Sequence, residues 1–473
     1  MDNKLLNDVD CYIKSKRDEI ILNLIKLASI PSVQSKAAPG APFGENCAKA
    51  LSASAKLFEE YGIKAELFKN AGYALAGIGS GKKTIGIFTH SDVVPAEGDW
   101  IYTNPFKPIV LDNCLVGRGV EDNKSGIIAA LYAMRAIKEM HLGLNSKIVN
   151  FIGSNEETGM KDIKAFVDSH SMPDVSLIPD NDFPVSIGEK GILTFNIKAA
   201  KPFKTILSFD GGKAFNVSLD KVRVSFKYNK EYIDELLGLT KGKDEFTVIT
   251  DNEIITLEAR GIAKHAAMPE GSVNAAKLAA DLLCKCSFLN EDDLKIMRSV
   301  SQIPSGYYGK GLRIEYCDRY FGRLTCVNGI VKTLQGYLNL SFDIRYGTGI
   351  DYDKMMDNIK LVLNQEGWYL ANINNRPGFS ISRESPYAKA LLSVYREISN
   401  ERQSRLYRSA GGTYARYLKN AFSVGTEAKY IERNLNMSNG HGGAHQCDES
   451  ISIDGFLEAI KILTVMLIKI DKI

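Results

Sequence analysis

Apolar runs of strand length recur in the first part of the chain, and each run leads to polar side chains. The runs Thr84–Phe88, Lys147–Phe151 and Val175–Ile178 are separated by segments in which apolar residues have helical spacing. Strands that alternate with helices predict βαβ units and a largely parallel sheet. The helical segment after Ser125 repeats apolar residues every three or four positions, so one of its faces should pack on that sheet.

The pattern changes after Gly191. Apolar and polar residues alternate in Leu193–Ile197, Val222–Tyr228 and Leu338–Ile344, and this period of two is typical of antiparallel sheet. Helical spacing returns from about Tyr387. We therefore expect an α/β fold with a first domain, formed by residues 1–189 and 383–473, whose mixed, largely parallel sheet is flanked by helices. An inserted α+β domain with an antiparallel sheet is expected at residues 190–382.

The chain ends are predicted to be helical. Residues 7–28 and 51–61 are each expected to form one helix, and a last amphipathic helix should follow residue 456. The first seventeen residues lack the apolar core of a signal peptide, and the apolar segment at 460–470 is too short to span a bilayer.

Composition limits the partners. The chain has 473 residues, with 59 Lys and Arg against 56 Asp and Glu, so its net charge is only +3. A nearly neutral chain of this size does not favour nucleic acid or a membrane surface as a partner. The eight cysteines show no disulfide framework or metal-knuckle spacing. We expect a cytoplasmic protein.

Each predicted parallel strand leads to side chains with chemical potential. His90 and Asp92 follow the first run, Glu156-Glu157 follow the second, and Asp180 follows the third. Ligands gather at the carboxyl ends of the strands in open α/β sheets, so these residues are candidates for one site. Each motif also has a plain structural interpretation, because adjacent glutamates are usually a solvated pair and the segment around Asp180 can be a turn.

Two more candidates lie outside these strands. Asp122 precedes the helix predicted after Ser125, and His445 lies in a glycine-rich loop near the end of the chain. That loop is either a flexible surface turn or a segment that carries a ligand. His441 competes with His445 for the role, but Glu449 and the helix that follows favour His445.

The candidates together comprise two imidazoles and three carboxylates. This combination suits two borderline divalent cations, with Zn²⁺ expected first and Mn²⁺ or Co²⁺ as alternatives. Two such ions about 3.5 to 4 Å apart need a bridging carboxylate, for which we choose Asp122. Glu156 would act as general base towards a metal-bound water. The proposed ligands are His90, Asp122, Glu157, Asp180 and His445.

These motifs resemble, in order and spacing, those of the dinuclear metallopeptidases that include carnosinase, aminoacylase and glutamate carboxypeptidase. The resemblance is closest to the PepV-type bacterial dipeptidases and covers nearly the whole chain. It rests on His90-Ser-Asp92, Gly117-Arg-Gly-Val-Glu-Asp122-Asn-Lys, Asn155-Glu156-Glu157, Pro179-Asp180, His265-Ala-Ala-Met268-Pro269, Gly411-Gly412-Thr413 and His445-Gln-Cys-Asp-Glu449.

For the metal site, the resemblance implies that one ion is held by His90 and Asp180 and the other by Glu157 and His445. Asp122 would bridge the two ions and be joined to Asn123 by a cis peptide bond. By the same resemblance, Asp92 would orient the first histidine, and Glu156 would be the catalytic base.

For the inserted domain, the resemblance implies a lid over the substrate. His265 would stabilise the tetrahedral oxyanion, and Arg345 would bind the C-terminal carboxylate of the substrate, for which a guanidinium group is well shaped. Asn216, Gly411 and Gly412 are further candidates for substrate contact.

Two features refine the comparison. The PepV-type chains commonly carry a second aspartate after the bridging one, where this chain has Asn123. At the position of Asp180, aspartate is typical of the family's dipeptidases and aminopeptidases, whereas glutamate is typical of its aminoacylases and carboxypeptidases. Asp180 therefore favours peptide substrates with a free amine.

The predicted function is that of a metal-dependent dipeptidase, which hydrolyses dipeptides with a free N-terminus through a metal-bridging hydroxide. An N-acyl amino acid amidohydrolase with the same metal site is the first alternative, and a non-catalytic metal- or peptide-binding protein is the second. Short peptides are the expected partners. A monomer is expected, because the inserted domain of nearly 200 residues resembles the larger, self-sufficient PepV lid.

Overall fold

A computed structural model describes residues 3–212, 214–251, 253–433, 435–438 and 440–473. Its α-helices, in chain order, are α1 (Asn3–Ser15), α2 (Arg17–Ala28), α3 (Glu45–Glu60), α4 (Lys124–Glu139), α5 (Lys161–Ser169), α6 (Lys230–Thr240), α7 (Ala275–Leu283), α8 (Glu291–Gln302), α9 (Tyr352–Glu366), α10 (Pro386–Ser399) and α11 (Ile453–Asp471). Within the described part of the chain, no helix combines the length and the apolar character that crossing a bilayer requires.

The strands are, in chain order, β1 (Lys64–Phe68), β2 (Tyr73–Ile78), β3 (Thr84–His90), β4 (Ile109–Leu111), β5 (Cys114–Val116), β6 (Lys147–Gly153), β7 (Val175–Asn181), β8 (Ser186–Glu189), β9 (Gly191–Ala199), β10 (Ile206–Gly211), β11 (Lys221–Lys227), β12 (Phe246–Thr250), β13 (Ile254–Arg260), β14 (Cys317–Asp318), β15 (Gly322–Arg323), β16 (Thr325–Leu334), β17 (Tyr337–Tyr346), β18 (Trp368–Arg376), β19 (Phe379–Ser380), β20 (Tyr407–Ser409), β21 (Ala421–Gly425) and β22 (Ser450–Ser452).

The prediction of one helix over residues 7–28 is wrong, because two helices occupy this segment. At the junction, the hydroxyl of Ser15 donates a hydrogen bond to the carbonyl of Tyr12 at 2.6 Å. Lys16 then leaves helical geometry, with φ −102° and ψ 6°, and α2 begins at the next residue.

The described residues form two compact units. The first comprises residues within Met1–Gly188, Ile381–Tyr407 and Thr413–Ile473, and the second comprises residues within Glu189–Ser380 and Arg408–Gly412. The second unit therefore includes the short segment Arg408–Gly412, which the sequence-based boundaries place in the first domain.

The first unit is built on a mixed sheet. Its strands follow the order β1-β2-β6-β3-β7-β21-β8, and the central pairs β6-β3, β3-β7 and β7-β21 are parallel. The helices α1, α2, α3, α4, α10 and α11 contribute buried apolar side chains to one core with these strands. This arrangement confirms the predicted α/β class with a largely parallel sheet flanked by helices.

The second unit has its own sheet and core. The strand order is β12-β13-β11-β10-β16-β17-β9-β18, and every neighbouring pair in it is antiparallel. The helices α7, α8 and α9 contribute to the apolar cluster of this unit. The α+β character predicted from the period-two segments is confirmed.

A small sheet in the first unit brings the end of the chain to the region before α4. Strand β22 pairs with β5, with Ser450 opposite Val116, and β5 pairs with β4. Consequently the loop that carries His445 ends at a strand, β22, whose neighbour β5 leads into the turn that carries Asp122.

Candidate metal centre

Parallel pairing collects three of the predicted motifs at one edge of the first sheet. His90 is the last residue of β3 and lies opposite Gly153, the last residue of β6. Glu156 and Glu157 follow β6 within four residues, and Asp180 is the penultimate residue of β7. The strand ends thus deliver an imidazole and three carboxylates to the same edge, as open α/β sheets do at their ligand sites.

The five predicted ligands form two groups that share Asp122. In the first group, Nε2 of His90 lies 3.2 Å from Oδ1 of Asp122 and 3.6 Å from Oδ1 of Asp180. In the second, Nε2 of His445 lies 2.9 Å from Oδ2 of Asp122 and 3.2 Å from Oε2 of Glu157. Within each group, the possible ligand atoms all lie within 4.8 Å of one another. The two oxygens of one carboxylate therefore face two different imidazoles.

The competing histidine of the glycine-rich loop has a different partner. Nδ1 of His441 lies 2.6 Å from Oδ2 of Asp448, and His441 belongs to neither group of candidate ligands. Among the described residues, His445 is the histidine of this loop that joins the cluster.

Asp122 is held in a turn before α4. The peptide bond between Asp122 and Asn123 is cis, which confirms the conformation expected from the resemblance. The buried side chain of Asn123 accepts a hydrogen bond from the amide of His90 at 3.3 Å and donates one to the carbonyl of Pro179 at 2.5 Å. An amide side chain offers both an acceptor and a donor, whereas an ionised aspartate only accepts, so Asn123 joins β3 to β7 in a way that an ionised aspartate could not.

Asp92 contacts both the first imidazole and the turn that carries the two glutamates. Nδ1 of His90 lies 3.0 Å from the main-chain carbonyl of Asp92 and 3.4 Å from its carboxylate. The same carboxylate accepts hydrogen bonds from the amides of Glu156 at 3.2 Å and Glu157 at 3.1 Å. Asp92 thus orients the turn that carries both glutamates, and its carbonyl orients the imidazole.

Asp162 and Tyr414 complete the support of this turn, and sequence reasoning did not assign them a role. Oδ2 of Asp162 accepts hydrogen bonds from the amides of Ser154 at 2.7 Å and Asn155 at 2.8 Å. The hydroxyl of Tyr414 donates to the same oxygen at 2.6 Å. A Cβ at Gly153 would lie 1.9 Å from that hydroxyl, so only glycine fits there. The buried carboxylates of Asp92 and Asp162 thus accept hydrogen bonds from the four successive amides of residues 154–157. In the sequence, the signal for this role was the position of Asp162 in α5, where the spacing of apolar residues predicts a buried side chain.

Burial sets the electrostatics of the carboxylates. It raises the pKa of Glu156 well above its usual range, with the charge of His90 acting in the opposite direction. Burial also raises the pKa of Glu157 to about 7 and that of Asp180 to about 6. In contrast, hydrogen bonds from His445 and His90 outweigh burial at Asp122 and hold its pKa well below the usual range.

These residues fit divalent cations. Nε2 of His90 and Oε1 of Glu156 and of Glu157 are buried without a hydrogen-bond partner among the described residues. Neighbouring carboxylates whose charge is opposed by burial are stabilised when a cation lies between them. Mixed nitrogen and oxygen ligands suit Zn²⁺ and comparable ions.

The second unit contains the predicted oxyanion residue. The amide of Ala267 donates a hydrogen bond to Nδ1 of His265 at 3.1 Å. Nε2 of the same ring lies 3.2 Å from Nδ2 of Asn216. These two residues, both predicted to contact the substrate, are therefore neighbours.

The predicted carboxylate-binding arginine is also in the second unit and is almost fully buried. Nε and Nη2 of Arg345 donate to the two oxygens of Asp343 at 2.6 Å and 2.9 Å. Nη1 donates to the carbonyl of Ala410 at 3.4 Å. The neighbouring residue Gly411 donates its amide to Oγ of Ser409 at 3.0 Å, and Gly412 lies in the same short segment of this unit.

Comparison with known proteins agrees with this geometry. Residues 86–469 match the model of peptidase family M20/M25/M40. A Staphylococcus aureus (strain USA300) protein named "Putative dipeptidase" is 28% identical over 468 residues, which cover 96% of this chain and 98% of the relative. The chain belongs to peptidase family M20/M25/M40. It is a hydrolase that acts on peptide bonds, as membership of this family and its similarity to that relative indicate.

Solved structures share the fold at low sequence identity. Human carnosine dipeptidase 1 superposes with a TM-score of 0.62 at 16% identity and covers 99% of both chains. The Saccharomyces cerevisiae dipeptidase Dug1p gives a TM-score of 0.61 at 14% identity, again over 99% of both chains. The prediction that this chain belongs to a family of dinuclear metallopeptidases is confirmed for both the family and the fold.

Proposed function

We propose that this chain is a metal-dependent dipeptidase. One divalent cation would be held by His90, Asp122 and Asp180, and a second by Asp122, Glu157 and His445. The observation that carries the proposal is the position of Asp122, whose oxygens lie 3.2 Å and 2.9 Å from the two imidazoles. A carboxylate in this position can bridge two ions, and two ions would supply a polarised carbonyl and a water of lowered pKa.

Glu156 is the residue proposed to move the proton. Its side chain projects from the same turn as Glu157 but belongs to neither group of candidate ligands. Burial raises the pKa of this carboxyl group, so without bound cations it holds a proton more readily than a solvated glutamate does. It is suited to take a proton from the attacking water and to deliver it to the leaving amine.

The proposed preference for dipeptides rests on two supports. One is the similarity over 468 residues to the Staphylococcus aureus relative. The other is the expectation that Asp180 favours substrates with a free amine. The roles of His265, Asn216, Arg345, Gly411 and Gly412 in substrate binding stay predictions. So do Zn²⁺ as the physiological ion, the monomeric state and the cytoplasmic location.

A substrate panel tests this proposal. The purified chain, reconstituted with Zn²⁺ or Mn²⁺, should hydrolyse free dipeptides such as Ala-Ala, Leu-Gly and β-Ala-His faster than tripeptides, and a chelator should abolish turnover. N-acetyl amino acids should not be substrates. Cleavage of N-acetyl amino acids alone would select the amidohydrolase alternative. Metal binding without hydrolysis of any peptide or acyl amide would indicate a binding protein and contradict the proposal.

A further inference from the structure

The buried carboxylate of Glu449 is bound to the turn that leads into Asp122. Its Oε1 accepts hydrogen bonds from the amides of Gly119 at 3.0 Å, Glu121 at 2.9 Å and Asp122 at 3.0 Å. The side chain has no exposed surface. Three amides that converge on one oxygen define the path of the main chain immediately before the bridging ligand.

The second oxygen of Glu449 connects the same carboxylate to the other side of the cluster. Nη1 of Arg118, itself buried, donates to Oε2 of Glu449 at 2.6 Å. Nη2 of the same guanidinium donates to the main-chain carbonyl of His445 at 3.4 Å. Glu449 thus contacts the main chain of Asp122 directly and reaches that of His445 through Arg118.

The main chain of Glu449 is fixed close to this turn. Its carbonyl accepts a hydrogen bond from the amide of Gly117 at 2.8 Å, and the next residue, Ser450, pairs with Val116 in the small sheet. The side chain and the main chain of Glu449 therefore bind the same segment, so any displacement of the carboxylate moves the turn.

We propose that Glu449 is a positioning residue of the metal centre. Through its three amide contacts and through Arg118, it sets the separation of Asp122 from His445, whose ligand atoms are 2.9 Å apart. The inference rests on the metal-dependent function proposed above and adds a residue to it. Residues that orient metal ligands typically affect metal affinity or activity by about 10- to 100-fold.

The preceding residue offers a matched control. Asp448 is also fully buried, and it accepts hydrogen bonds from the amides of Ile101 and Tyr102 at 3.0 Å and 3.1 Å. Its other contact is with His441, at 2.6 Å. Asp448 therefore joins residues 101–102 to His441 at the start of the loop that carries His445, whereas the amides of the turn before Asp122 bond Glu449 instead.

The test compares Glu449→Gln with Asp448→Asn in the full chain. Each amide side chain can keep its oxygen towards the main-chain donors, but its NH₂ group then faces a donor on Arg118 or a nitrogen of His441. Metal-free samples are titrated with Zn²⁺ in competition with a chelating dye, and thermal unfolding of the same samples is recorded. Hydrolysis of Ala-Ala at saturating Zn²⁺ gives kcat and KM.

We expect Glu449→Gln to lower the affinity for at least one Zn²⁺ equivalent by about 10- to 100-fold. Asp448→Asn should lose less Zn²⁺ affinity than Glu449→Gln, even if both variants lose similar thermal stability. Arg118→Lys, which cannot bond Glu449 and the His445 carbonyl together, should lower affinity in the same direction and replaces Glu449→Gln if that variant does not fold.

Either of two results would overturn the inference. The first is a Zn²⁺ affinity equal to that of the wild type in Glu449→Gln, or in Arg118→Lys if Glu449→Gln does not fold. The second is a loss of Zn²⁺ affinity in Asp448→Asn as large as that in the Glu449 variant. Failure of the proposed function itself would appear in the wild-type chain, which would then bind no Zn²⁺ or bind Zn²⁺ without hydrolysing Ala-Ala.

Discussion

Neighbouring glutamates with separate roles give the sharpest prediction from the site. Glu156→Gln keeps the shape of a side chain that is 8% exposed and belongs to neither ligand group, so metal binding should persist. General bases typically contribute about 10²- to 10⁴-fold to rate, which corresponds to about 2.7 to 5.4 kcal/mol of barrier. We expect kcat to fall by that factor while KM changes little, because the lost interaction belongs to the transition state.

Glu157→Gln is the matched variant. Oε2 of Glu157 lies 3.2 Å from Nε2 of His445 within the second ligand group, so this change should remove bound metal. Release of free amino acids from Ala-Ala gives kcat and KM, and elemental analysis after gel filtration gives metal per chain. The reasoning is refuted if Glu156→Gln retains near wild-type kcat, or if it loses as much metal as Glu157→Gln.

Three further predictions concern the supporting residues. Tyr414→Phe removes the 2.6 Å hydrogen bond to buried Asp162, and hydrogen bonds to charged groups contribute about 1.5 to 3 kcal/mol to stability. Calorimetry should therefore show a lower midpoint of thermal unfolding, and an unchanged midpoint would contradict this. Burial raises the pKa of Asp162 from 3.8 to about 6, so the folded state binds more protons in that window and the free energy of unfolding falls as pH rises through it, by roughly 3 kcal/mol. Asp162→Asn should lose this component in urea unfolding at pH 4 and pH 6.5, and an identical pH dependence in both proteins would count against it. Arg345→Lys should raise KM for dipeptides about 10-fold or more, because lysine cannot keep both bonds to Asp343 and also offer the donor that Nη1 of Arg345 would give to a substrate carboxylate. An unchanged KM would remove Arg345 from the substrate site.

Local sequence patterns were sufficient to predict the strands that carry three of the candidate ligands. His90, Glu157 and Asp180 could be placed at strand ends because short apolar runs precede them, and parallel pairing then brings such ends together. The antiparallel sheet of the second unit followed from its period of two. The break at Lys16 could not be predicted, because neither proline nor glycine stands at the junction of α1 and α2 and the apolar spacing continues on both sides of it.

Long-range contacts explain what the sequence did not reveal. Asp92 was expected to orient His90, and its carboxylate lies 3.4 Å from that imidazole; the bonds that the same carboxylate accepts from amides more than sixty residues later were not foreseen. Glu449 contacts a turn more than three hundred residues earlier. The spacing of apolar residues cannot predict such contacts, because each one forms only when the tertiary fold brings a carboxylate close to unpaired main-chain amides.

Metal titration of the metal-free chain tests the central claim most directly. The shared position of Asp122 between two ligand groups predicts that dipeptide hydrolysis is absent without metal and reaches a plateau when two divalent cations are bound per chain. Full activity in excess chelator, or a plateau of activity with no bound cation, would contradict a dinuclear centre built on Asp122.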